Sequence, residues 1–133
     1  MSSPGRTFLI DGSNTVQMLF GPLERHEADR CEKDFLRFVS EWAEQQPNTE
    51  VEIVFDGAWR AIPGCGTQVR VMFAEEGPAD ALILERLRAL RFFRRKVSVV
   101  TQDRALADAA RAEEAKMISP ASLWRWLAKA EPR

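Results

Sequence analysis

A single histidine, two cysteines and no tyrosine leave this chain few ways to build a catalytic site. Cys31 and Cys65 are no CxxC pair, so neither a disulfide framework nor a zinc cage is expected. A Ser-His-Asp or Cys-His site would need His26, which lies in the polar run Glu24 to Arg30 with no nucleophile elbow around it. No apolar run reaches the ~18 residues of a membrane span. The opening Met-Ser-Ser-Pro-Gly-Arg lacks the charged-then-apolar order of a signal peptide. The expected location is therefore the cytoplasm, with no membrane partner. An excess of charge is missing too. Nineteen Lys and Arg face twenty Asp and Glu, which excludes a globally basic binder but not a local patch.

What remains reads as one domain over residues 1–133, with a core from about 7 to 127. A chain of 133 residues buries roughly two-thirds of its unfolded surface and needs no covalent staples. No linker, repeat or low-complexity segment interrupts it. Thr7 to Ile10 is a short apolar strand closed by an Asp11-Gly12 turn. Ala28, Cys31, Phe35, Phe38 and Trp42 recur at helical spacing, so a helix is expected from Ala28 to Gln46, stopped by Pro47-Asn48. Val51 and Ile53 to Phe55 make a second strand, closed by Asp56-Gly57. The loop Ala58 to Thr67 leads to a half-buried strand at Val69, Val71 and Phe73. Gly77-Pro78 opens a helix whose buried stripe is Ala79, Ile83, Leu87 and Leu90. Val97 to Val100 is a strand and Asp103 to Ala115 a helix. Met117-Ile118 is a short strand, and Ser119-Pro120 starts a last helix with Leu123, Trp124 and Leu127. This alternation predicts an α/β fold: a mostly parallel sheet of about five strands with helices on both faces. The helix-free loop before the third strand marks that strand as a candidate edge strand of open direction.

The acids fall at telling positions. Asp11 and Asp56 end strands, Asp103 follows Val100 by three residues, and Asp80 lies in the first turn of the helix after the third strand. In an open α/β sheet the carboxyl ends of parallel strands form the ligand-binding edge. Each acid has a local explanation, as a turn residue, a dipole partner or a helix cap. Together they raise a problem, because two like charges 4 Å apart repel by about 4 kcal/mol at an effective dielectric of about 20. Apart from Arg104 beside Asp103, no Lys or Arg occupies a matching strand end. A hard divalent cation, Mg²⁺ or Mn²⁺, supplies the missing charge with carboxylate and water ligands. Asn14 can hydrogen-bond a phosphate or a carboxylate, and Thr101 can orient Asp103.

Four segments resemble the motifs of one family. Asp11-Gly12-Ser13-Asn14 is similar to the Asp-Gly-Tyr-Asn opening of NYN domains, the PIN-like ribonucleases. Val54-Phe55-Asp56-Gly57 resembles their second motif. Phe73, Glu75-Glu76-Gly77 and Ala79-Asp80 resemble the third, above all in the YacP-like branch. Thr101-Gln102-Asp103 resembles the fourth. The resemblance spans Thr7 to Leu127. It implies a PIN-like three-layer fold, an acidic site dependent on Mg²⁺ or Mn²⁺, and endonucleolytic cleavage of RNA. Carried over, Asp11, Asp56, Asp80 and Asp103 are the catalytic and metal-site residues, with Asn14 accessory. Ser13 replaces the family's Tyr, and Ala81 stands where a second acid often follows Asp80. These departures define an alternative, an RNA-binding or adaptor domain with a weak or lost activity. A receiver-like phosphate regulator ranks lower, since it needs paired acids after the first strand and a late Lys.

The expected partner is RNA in single-stranded form. Arg60, Arg70 and Arg104 are the placed cations, Trp59 offers a ring for base stacking, and Ser13 a substrate contact. Arg86, Arg88, Arg91, Arg94, Arg95 and Lys96 form a run with no acid between them. A helix that starts at the acidic edge carries that run to the far edge. Trp124 is read as core, and Trp126 as an exposed contact or protein-partner surface.

Overall fold

The computed structural model describes residues 5–129. The segment read for signal character begins in residues 1–4, which lie outside the described residues. The elements are β1 (Arg6–Asp11), α1 (Gly12–Phe20), α2 (Arg25–Glu44), β2 (Thr49–Asp56), β3 (Val69–Ala74), α3 (Ala79–Phe92), β4 (Lys96–Val100), α4 (Arg104–Ala112), β5 (Lys116–Ile118) and α5 (Pro120–Lys129). The sheet order is β3-β2-β1-β4-β5 and every pairing is parallel. Connections run outward to one side of β1 and then return to its other side. The crevice at this reversal opens above the carboxyl end of β1.

Strand alternation sorts the core into two layers. Phe8 and Ile10 of β1 and Val51, Ile53 and Phe55 of β2 pack beneath α1, α2 and α5. Leu9, Val54, Val97 and Val99 point the other way, onto α3 and α4. Glu52 shares that second face and is buried, and Arg86 of α3 grips both of its oxygens at 2.7 and 2.8 Å. Trp124 packs edge-on to Phe20 and Phe38. Cys31 and Cys65 are free thiols. Among the described residues no helix is long and apolar enough to cross a membrane.

Two features differ from the sequence reading, and a third settles a direction it left open. Asp11-Gly12 is not a turn but the entry to α1, a helix the sequence hides behind Gly-Ser-Asn-Thr, all weak helix formers. Helix α2 begins at Arg25, three residues before the first apolar position of its stripe. β3 is the edge strand expected, and its direction is parallel, with Val51 opposite Val69. Residues 57–68 make this crossover without a helix because the loop has its own anchors. Ile62 and Cys65 pack against the core, and the Gln68 amide donates to the carbonyls of Ala43, Gln46 and Thr49.

Gly12 is required by close approach. A Cβ there would lie 2.6 Å from Phe55 Cε1 and 2.9 Å from Ile53 Cγ2, both on fully buried side chains of β2. Gly12→Ala should therefore cost about 1–3 kcal/mol, as overpacking does in a filled core, despite alanine's better helix propensity. Denaturant melts of the two proteins test this; a variant as stable as the parent would contradict so tight an α1–β2 contact.

Candidate active site

Asp11 ends the central strand and is only 6% exposed. One neighbour reaches it from across the crevice. Thr101, the residue after β4, donates its hydroxyl to Asp11 Oδ2 at 3.0 Å and accepts from the Asp103 amide at 3.1 Å. Asn14, one turn into α1, accepts the Gln102 amide at 2.9 Å. The β4–α4 turn is thus stitched to β1 and α1. On the other side, Ser13 Oγ accepts the Asp56 amide at 2.9 Å.

Asp56 and Asp103 each divide their carboxylate. Asp56 Oδ1 accepts the Ala79 amide at the start of α3 (3.1 Å), and Asp103 Oδ1 accepts the Leu106 amide as the cap of α4 (2.8 Å). The second oxygen of each makes no hydrogen bond among the described residues. Asp80 stands exposed in the first turn of α3. All four acids line one cleft of about 270 Å³ with Ser13, Asn14, Gln17 and the Pro78-Ala79 entry to α3. Asp103 is therefore both helix cap and cleft residue, and its local explanation does not compete with the functional one.

None of the four acids has an ion-pair partner among the described residues, whereas Glu32, Glu52 and Glu113 are each held by arginine. Burial pushes the Asp11 carboxyl up to about 6; Asp56 and Asp103 add repulsion, and the Thr101 hydroxyl and Asn14 backbone amide work against the rise. Asp11 forms no side-chain cap hydrogen bond to α1.

The donor set suits a hydrated cation. Mg²⁺ usually takes one or two carboxylates and keeps several waters, so it does not need a closed cage. The acids of the cleft form none. Among the described residues, the trio whose ligand atoms fall within 4.8 Å of one another is Glu24, His26 and Glu27, at the surface near the start of α2. Those residues lie apart from the cleft lining.

The placed cations fare differently. Arg104 opens α4 beside Asp103 and is exposed. Trp59 is 69% exposed on the loop after Asp56, its amide tied to Glu75. Arg60 is committed to the fold: it bonds both oxygens of Glu32 at 2.9 Å, the carbonyls of Asp56 and Ala58, and lies 4.8 Å over the Phe73 ring. Arg70 sits four residues before the end of β3 and does not line the cleft. The basic run is largely neutralised by acids remote in sequence. Arg86 pairs with Glu52, Arg88 and Arg91 with Glu113, Arg91 also with Glu114, and Arg95 with Glu50. Gln17 went unnoticed in the sequence. Its signal is the three-residue step from Asn14, which places both on one helical face, but only once α1 is recognised as a helix.

A three-layer α/β fold with acids gathered at its switch point is the arrangement of PIN-like nucleases. The YacP-like NYN domain model matches residues 8–133, and the chain belongs to that family, a PIN-like nuclease family. Two crystal structures of Rae1 (YacP) from Bacillus subtilis, one of a point mutant, are similar in fold. The mutant has a TM-score of 0.77 at 21% identity over 93% of this chain and 75% of that one. The other gives 0.76 at 21% identity over 93% and 74%. No protein of curated function matches the chain.

The Asp11 shift carries a pH signature. Its folded-state value of about 6 exceeds the ordinary 3.8, so the folded protein holds this proton more tightly than the unfolded chain. The associated stability is fully present below 3.8 and lost as pH rises through about 6. In EDTA, Asp11→Asn should melt above the parent at pH 8, by up to about 3 kcal/mol, with the gap closing as pH falls through 6 toward 4. A variant less stable across the whole range would contradict the buried charge.

Proposed function

We propose that this protein is a metal-dependent endoribonuclease that hydrolyses single-stranded RNA in the acidic cleft, with Asp11, Asp56, Asp80 and Asp103 as catalytic and metal-site residues. The observation that carries this reading is the convergence of four carboxylates, none of them ion-paired among the described residues, at the switch point of the sheet. A structural role would have given such a group a resident cation from the chain's own arginines.

The chain's residues divide the work. Asp11, Asp56, Asp80 and Asp103 would hold Mg²⁺ or Mn²⁺, Asp56 and Asp103 through the oxygens that do not anchor α3 and α4. When bound, such an ion lowers the pKa of a water and neutralises charge on a phosphodiester. Thr101 fixes Asp11 in one orientation, and Asn14 fixes the turn that carries Asp103. Ser13 ties the end of β2 to α1, so the two carboxylate-bearing strand ends keep their separation. Arg104 faces a phosphate entering beside Asp103. The Trp59 ring is free to stack a base, a contact worth about 1–3 kcal/mol and tolerant of sequence. No histidine lines the cleft, and this chemistry requires none. Single-stranded substrate fits the open cleft, and the proposed setting is the cytoplasm. Ala81 beside Asp80 supports a second reading, in which the domain binds RNA as an adaptor with little cleavage.

Labelled single-stranded RNA incubated with the protein and Mg²⁺ or Mn²⁺ should be cut internally, and EDTA should abolish cutting. Asp56→Asn and Asp103→Asn keep one acceptor for the Ala79 and Leu106 amides, so they should fold while losing at least about a hundredfold in rate, as when a charged group is removed from a preorganised site. Cleavage that survives EDTA contradicts the metal site. Binding without cleavage in either metal replaces the enzyme with the adaptor.

A further inference from the structure

The opposite edge of the sheet carries a second surface that the cleft does not use. Two depressions of about 350 Å³ each meet there and share Arg6. One is lined by Phe8, Trp42, Trp126 and Lys129, the other by Lys96, Ser98 and Lys116. Strand register puts the cations in a row. Arg6 of β1 lies opposite Lys96 of β4, and Ser98, two residues on and on the same face, lies opposite Lys116 of β5. Neighbouring strands are about 4.8 Å apart, so Arg6 and Lys96 stand side by side, and Lys116 lies one strand further on and two residues along. Lys129 and Trp126 come from the last turns of α5.

The charge of this row is not cancelled. Glu114, which lines the second depression, pairs with Arg91, and Glu50 pairs with Arg95. Arg6, Lys96, Lys116 and Lys129 have no ion-pair partner among the described residues. Beside them Trp126 is 38% exposed and stacks on the buried Trp42, the rings 13° from parallel with centroids 6.1 Å apart. Phe92 and Phe93 stand 81% and 74% exposed where α3 ends, at this same edge. A line of unpaired cations beside rigid, part-exposed rings is the composition of a surface that tracks a nucleic-acid backbone and stacks bases.

We infer that this edge is a second RNA-contact surface, with Arg6, Lys96, Lys116 and Lys129 on phosphates and Trp126 against a base. The inference rests on RNA being the ligand of the cleft and extends it. Five strand steps of about 3.3 Å separate Arg6 from Asp11, about 17 Å in all, so a short oligonucleotide fills the cleft alone while a long strand reaches both edges. A backbone of repeated charge fits a band of cations running across three strands better than the scattered acids of a folded protein do.

The test measures binding of a short oligoribonucleotide and of a long single-stranded RNA in EDTA, over a series of salt concentrations, and cleavage of the short one in Mn²⁺. The variant is Arg6→Gln/Lys96→Gln/Lys116→Gln in the full chain. It should bind the long RNA at least about tenfold more weakly, with a log–log salt slope shallower by about 2, from three lost contacts at about 0.7 each. Its cleavage of the short oligonucleotide and its melting temperature should match the parent's. Trp126→Leu should weaken the long RNA alone. Unchanged affinity and slope for the long RNA overturn the surface, as does an equal loss for the short one. Displacement of bound poly-glutamate but no RNA binding would assign the edge to an acidic protein and overturn it too. If the variant loses long RNA while the parent cuts nothing in either metal, the nuclease reading fails and this surface stands.

Discussion

A buried carboxylate with no cation of its own dictates the rest of this site. Asp11 ends the central strand, where burial and two nearby acids oppose its ionisation. What keeps it in place is neutral: the Thr101 hydroxyl. Arg104 stands beside Asp103, and the paired arginines are elsewhere. Arg60, Arg86, Arg91 and Arg95 each pair with a glutamate away from the cleft. The near-neutral total of -1 conceals a polarised molecule, acidic at the carboxyl edge of the sheet and basic at the other. A cation bound on the acidic side would remove the repulsion that an anionic ligand meets in the cleft.

The same groups that could bind a ligand also hold the fold together. Asp56 anchors α3 through Ala79, and Asp103 caps α4 through Leu106. Cleft geometry and helix placement are therefore coupled. A residue that removes the whole side chain, such as alanine, disturbs both, whereas asparagine removes charge and leaves the anchor. This distinction decides how any variant of these acids is read.

Much of the layout was legible in the sequence because the strands are short, apolar and closed by acids. Short apolar runs, a period-two alternation at β3 and stripes of period three to four located the five strands and four of the five helices, and the strand-terminal aspartates pointed to one edge. Helix α1 was not legible: its first residues are poor helix formers, and Asp-Gly looks like a turn when the packing of Gly12 against Phe55 is invisible. The direction of β3 depended on Gln68 and Ile62 anchoring a helix-free crossover, a tertiary effect with no local signature. The basic run misleads for a similar reason. It has no acid within its own segment, yet Glu52, Glu113, Glu114 and Glu50 reach it from other elements. The row of Arg6, Lys96 and Lys116 is the reverse case, since residues ninety apart in sequence become adjacent only through the pairing of β1 with β4 and β4 with β5.

The most direct test of the central claim is a carboxyl-carbon NMR titration of the aspartates, in EDTA and again with Mg²⁺. Asp11 should titrate near 6 without metal, and its midpoint should fall when Mg²⁺ is added, because a bound cation favours the charged form. An Asp11 that titrates at the ordinary 3.8 and ignores Mg²⁺ would contradict a buried, uncompensated carboxylate awaiting a cation.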